Sequence, residues 1–181
     1  MPQVSYLVRQ QVRKRLADNL TGFNYWLSQA CLSQVPQPDP YVIDFADGSS
    51  NFWQSNITAE ELDATSTPAD GTLCLLYSVR STTPGPTYQK FSIFGGVVQV
   101  AVDFEIARLE GFDPSDTEGL PDATVDAMYQ TFNSQAYFNS WSSGVIYNGT
   151  IEEGPRGPMR QSGSNWRQRI PFLISFELET V

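Results

Sequence analysis

Trp166-Arg167-Gln168-Arg169-Ile170-Pro171-Phe172-Leu173-Ile174-Ser175-Phe176-Glu177-Leu178 is the stretch that decides the fold, because Ile170, Phe172, Ile174, Phe176 and Leu178 recur at every second position. A strand has a side-chain period of two, so this pattern buries one face of a sheet and leaves the other polar. Working backwards, Val98, Val100, Val102, Phe104 and Ile106 repeat the pattern, with Gln99, Ala101, Asp103, Glu105 and Ala107 on the opposite face. Leu73, Leu75, Tyr77 and Val79 alternate likewise, and a further strand is predicted over 144–151. Gly95-Gly96 marks a turn or a sharp bend before the cleanest run. Between the last two strands lies Gly154-Pro155-Arg156-Gly157-Pro158-Met159-Arg160-Gln161-Ser162-Gly163-Ser164-Asn165, which contributes nothing to a core and is expected to project from the end of a hairpin.

Two segments have helical spacing instead. Val4, Val8, Val12, Leu16, Leu20, Phe23, Leu27 and Cys31 return every three or four residues, which predicts a helix over 4–31, bent or divided at Gly22, with Arg9, Arg13, Lys14 and Asn24 facing outward. Pro121 is well placed to open a second helix whose buried face holds Val125, Met128, Tyr129, Phe132 and Ala136. Residues 35–71 read as an insertion. Within it Tyr41–Phe45 and Phe52–Trp53 are expected to be short strands joined by the turn at 46–49, and Thr58 and Glu61 have capping-box spacing. The order predicts one α+β domain over 1–181, with two amphipathic helices on the apolar face of an antiparallel sheet.

Composition narrows the chemistry. The 181 residues include no histidine, which removes the usual general base and the usual transition-metal ligand. Cys31 and Cys74 fall in apolar stretches and form no Cys-x-x-Cys motif, so both read as reduced core residues; zinc and a Ser-His-Asp triad are excluded. No Gly-x-Gly-x-x-Gly or Gly-Lys-Ser/Thr motif supports nucleotide binding, and no cofactor is expected. No apolar run is long enough to span a bilayer and no leader pattern opens the chain, which reads as soluble and unprocessed.

The net charge of −9 argues against nucleic-acid binding over the whole surface, and no sequence-specific nucleic-acid partner is expected. Yet the charge is segregated. Arg9, Arg13, Lys14 and Arg15 lie near the N-terminus and Arg156, Arg160, Arg167 and Arg169 around the closing hairpin, whereas residues 16–79 hold eight acids and no base. Opposite charges on different surfaces suit head-to-tail association of identical subunits, and equally describe differently solvated faces. Arg156, Arg160, Arg167, Arg9, Arg13, Asp103 and Glu105 are the candidate partner-contact residues. Arg156 and Arg160 are expected to bond carboxylates of a neighbouring subunit.

Alternative chemistry is confined to few places. Asp103 and Glu105 share a strand face, as paired glycosidase carboxylates could, although a solvated sheet face is the simpler reading. Asp113, Asp116 and Glu118 could gather around calcium but lack the order of a calcium loop. Tyr25, Trp26, Phe52, Trp53, Tyr137, Phe138 and Trp141 could line a sugar platform, or simply pack. Asn19, Asn56 and Asn148 each begin Asn-x-Thr, a pattern that arises readily by chance.

The order of elements resembles the tail-terminator and tail-completion proteins of tailed bacteriophages. The resemblance lies in the N-terminal helix, the long strand Phe94-Gly95-Gly96-Val97-Val98-Gln99-Val100-Ala101-Val102-Asp103-Phe104-Glu105, the helix after Pro121 and the closing strand from Trp166; it covers 1–34 and 72–181. It implies a virion protein of the tail neck, assembled in the host cytoplasm. It also implies a homo-oligomeric ring of six subunits that caps the tail tube, ends its polymerisation and meets the head-side connector proteins, with DNA passing through. A connector or stopper role is the related alternative. A carbohydrate-binding or adhesion module and a carboxylate-dependent glycan-cleaving enzyme are the alternatives of another class.

Overall fold

The computed structural model describes residues 2–46, 52–53, 72–77, 88–90, 93–109, 119–133, 145–162 and 165–180. They form a mixed α+β structure. Helices α1 (Pro2–Leu16), α2 (Phe23–Leu32) and α3 (Leu120–Phe132) accompany strands β1 (Phe52–Trp53), β2 (Thr72–Tyr77), β3 (Tyr88–Lys90), β4 (Ile93–Leu109), β5 (Val145–Glu153), β6 (Arg160–Ser162) and β7 (Asn165–Thr180). The strands lie in one sheet in the order β1-β2-β4-β7-β5, with β3 on β4 and β6 on β7.

The backbone of the sheet is the antiparallel β4–β7 ladder, which runs without a register shift from Phe94↔Thr180 to Leu109↔Asn165. Its register places Val98, Val100, Val102 and Phe104 opposite Phe176, Ile174, Phe172 and Ile170, so the two alternating runs share one apolar face. Gly95-Gly96 neither turns nor breaks the chain; both continue within β4, opposite Glu179 and Leu178. These apolar side chains join Val8, Val12, Leu16, Phe23, Leu27, Cys31, Ala123, Val125, Ala127 and Met128 in one core. Phe104 anchors it, stacked on Phe23 at 4.6 Å and edge-on to Phe172 at 5.9 Å.

The N-terminal stripe is divided, as Gly22 suggests, with 17–22 between α1 and α2. The reason is local. Asp18 accepts bonds from the N–H of Leu20 and Thr21, and the Gly22 N–H returns to the Asp18 carbonyl at 2.9 Å. A Cβ on Gly22 would stand 2.2 Å from that carbonyl, so no larger residue fits. This turn throws Leu20 out of the stripe; it is 79 % exposed, against the sequence expectation. On α3, Met128 and Val125 are buried as predicted, whereas Tyr129 is exposed and Thr124 and Thr131 take inner positions by bonding the carbonyls of Leu120 and Ala127. Ala136 lies outside the described residues.

The segment 41–45 keeps the burial alternation of a strand, with Tyr41, Ile43 and Phe45 inside, but it is not in the sheet. Side chains replace a neighbouring strand. The Asn24 amide donates to the Ile43 carbonyl (2.8 Å) and accepts from its N–H (3.0 Å), and Arg13 donates twice to the Phe45 carbonyl (3.2 and 2.9 Å). The expected hairpin with Phe52–Trp53 is therefore absent. Instead β1 pairs in parallel with β2 at Cys74 and Leu75. The turn at 46–49, beyond Ala46, and the Thr58–Glu61 capping box lie outside the described residues.

The described part of the stretch expected to project, 154–162, lies along β7 instead. Gly154 and Gly157 donate their N–H groups to the carbonyls of Pro171 (2.8 Å) and Arg169 (3.0 Å), and Arg160 then pairs opposite Arg167. Gly-Pro-Arg and Gly-Pro-Met thus run along β7 with three residues facing every two, as in successive bulges. Pro171 explains where β5 leaves the regular ladder: its carbonyl can accept from Gly154, but it has no N–H to return. A Cβ on Gly154 would approach the Pro171 ring to 3.1 Å, which keeps this contact close.

Candidate interaction surface

Alternation places Asp103 and Glu105 on the face turned away from the core, together with Arg167 and Arg169 of β7. They are not solvated, contrary to the sequence expectation. Asp103 is 2 % and Glu105 1 % exposed. Burying a carboxylate costs several kcal/mol unless it is paired, so each needs a cation. Arg169 grips Asp103 with a two-pronged fork, Nε to Oδ1 at 2.9 Å and Nη2 to Oδ2 at 2.8 Å. Arg160 starts on β6, crosses β7 and reaches Glu105 on β4 at 3.2 Å. Arg167 is itself buried on this face. Two ion pairs, Arg169–Asp103 and Arg160–Glu105, thus span β4, β6 and β7, and Arg167 is buried on the same face.

Arg156 belongs to the other side of the hairpin. It donates from Nε to Glu153 and from Nη1 to Asp122 in the first turn of α3, the latter at 2.6 Å. Glu153 first, and then Asp122, hold its pKa above the ordinary value. Both hairpin arginines therefore have carboxylate partners inside the chain. Their spacing puts one on each side of the sheet: Arg156 ties the hairpin to the helix layer and Arg160 ties it to the opposite face.

Arg9 and Arg13 are brought to neither cluster. Arg13 is half-buried and spent on Phe45, and the Arg9 guanidinium stands 5.8 Å from the Tyr6 ring centroid, within cation–π range. The basic residue that sequence reasoning missed is Arg15. It is 4 % exposed, bonds the Thr131 carbonyl in the last turn of α3 through Nε, and reaches the Thr21 hydroxyl through Nη1 at 2.7 Å. A cation at a helix C-terminus meets the negative end of the dipole, so Arg15 locks α3 to the α1–α2 turn. Thr21 passes the contact on to Asp18, whose pKa is lowered by the Thr21 backbone N–H first, with Leu20 and Arg15 adding to it. Cys31 is a free, buried thiol pushed up to about 11 by desolvation.

The remaining sequence candidates separate. Tyr25 and Trp26 sit 5.0 Å apart but at 76°, edge to face, which is not a coplanar platform. Asp113, Asp116, Glu118, Tyr137, Phe138 and Trp141 lie outside the described residues. Among the described residues no group of three His, Cys, Asp or Glu side chains is placed to hold a metal ion, and no helix is long and apolar enough to cross a membrane. Comparison with protein-family models and with curated proteins finds no match for this chain.

Proposed function

We propose that the chain is a structural protein of the neck of a tailed phage particle. In this reading identical copies form a ring that caps the tail tube, stops its growth and joins it to the head-side connector. The observation that carries the reading is the one-sided build: the described helices share a single core with one face of the long β4–β7 ladder, while the opposite face carries arginines and carboxylates fixed in mutual pairs. A subunit with two unlike faces can bind copies of itself head to tail, and rings close by that kind of contact. Charged groups already locked in place lose little freedom when a partner docks.

The same geometry weighs against the other classes. Asp103 is held in the Arg169 fork and Glu105 by Arg160, and both carboxylates are buried rather than presented in a cleft, which weighs against an enzyme built on them. The crossed Tyr25–Trp26 rings do not favour a glycan-binding module. The genetic test is a nonsense mutation in the encoding gene. It should yield overgrown tails without attached heads, restored by the wild-type gene in trans; tails of normal length joined to heads would refute the reading.

A further inference from the structure

We propose that residues 154–160 form a charge-latched strap, a segment that opens from the edge of β7 without unfolding the rest of the chain. Three observations carry it. First, its backbone attachment between β5 and β6 is sparse: Gly154 and Gly157 donate to β7, while Pro155 and Pro158 have no N–H to give. Second, Pro155, Arg156, Pro158, Met159 and Arg160 are all exposed, so little apolar burial holds this stretch in place. Third, its two arginines act as clasps on opposite sides of the sheet, Arg156 on Glu153 and Asp122 and Arg160 on Glu105.

A segment with few backbone bonds and little buried surface lies at the low end of local stability, and its closure then depends on the ion pairs. The Arg156 pairs with Glu153 and Asp122 are the exposed ones, and exposed pairs are weak and screened by salt; the Arg160–Glu105 pair, with its buried carboxylate, is screened less. The strap is therefore ionic-strength-sensitive, whereas the β4–β7 ladder, held by backbone bonds and a dry core, is not. Once open it uncovers the Arg169 and Pro171 carbonyls on the edge of β7 and releases two guanidinium groups at the rim. Carboxylates of a second chain would compete for the same two arginines. The latch rests on the fold alone and stands or falls independently of the neck assignment.

Residue-resolved amide exchange of the purified full chain tests it, comparing Gly154 and Gly157 with Val100 and Ile174. Raising salt from about 0.05 to about 1 M should speed exchange at the two glycines about two- to tenfold and leave the two ladder amides unchanged. Asp122→Asn should speed the glycines about two- to fivefold at low salt and reduce the remaining salt response. The paired variant Arg160→Gln with Glu105→Gln removes the second clasp without leaving a buried charge, and should open the Arg160 end of the strap selectively. Glycines that exchange as slowly as Val100 and Ile174 under every condition would overturn the latch. So would a rise shared equally by all four positions, which is global unfolding.

Discussion

Phe104→Ala removes the ring on which the two layers meet. The side chain is fully buried, stacked on Phe23 at 4.6 Å and edge-on to Phe172 at 5.9 Å. Truncating a buried Phe typically costs about 3–5 kcal/mol through lost transfer energy and the cavity left behind. The loss of two aromatic contacts places this site toward the upper end. Leu173→Ala is the internal control, since Leu173 lies on the opposite face of the same sheet and is half-buried; its loss should be about 1 kcal/mol. Urea unfolding of both variants gives the comparison. At about 2–4 °C per kcal/mol for a chain of this size, Phe104→Ala should lower Tm by about 6–20 °C. Equal losses in the two variants, or a loss below about 1.5 kcal/mol for Phe104→Ala, would mean that the faces of β4 and β7 are wrongly assigned.

Gly22→Ala should cost about 3 kcal/mol or more in the same assay, because its Cβ would meet the backbone oxygens of Asp18 and Leu16 at 2.2 and 2.6 Å, and backbone cannot swing aside. Asn24→Ala unpins Ile43 and should cost about 1–2 kcal/mol, with faster amide exchange confined to 41–45; unchanged exchange there would show that the segment is held by other contacts. Asp18 has a folded pKa below its ordinary 3.8, so its stabilising contribution is present above that value and is lost as pH falls through the lower folded pKa. Asp18→Asn should therefore flatten the acid end of the stability curve below about pH 4, and an unchanged slope would refute the bonds to Thr21 and Leu20. Cys31, with its thiol pushed up to about 11, should resist alkylation at pH 8 until the chain unfolds; site-resolved mass spectrometry showing rapid native labelling would contradict its burial.

What the sequence revealed follows from which interactions are local. The period-two runs of β4 and β7 could be read directly, because each strand's inward side chains are fixed by its own alternation. The break at Gly22 was legible for the same reason: the residue that must lack a Cβ sits at the break. The burial of Asp103 and Glu105 was not, since alternation marks only the polar face, and the covering arginines lie 66 and 55 residues away. A signal was nonetheless present, because Arg167 and Arg169 alternate in the same phase on the strand that pairs with β4. The segment 41–45 misled because its alternation is genuine, while its backbone at Ile43 and Phe45 is bonded by the side chains of Asn24 and Arg13 rather than by a strand. Gly and Pro in 154–160 read as a free loop, yet their three-residue spacing brings glycine N–H groups back to β7.

The most direct test of the functional account is the copy number and position of this chain in the mature particle, by quantitative mass spectrometry of purified virions with antibody labelling in the electron microscope. A neck ring of the kind proposed predicts about six copies per particle, the number implied by the family resemblance, with label confined to the junction of head and tail. A single copy, label elsewhere on the particle, or absence from neck and tail would contradict it.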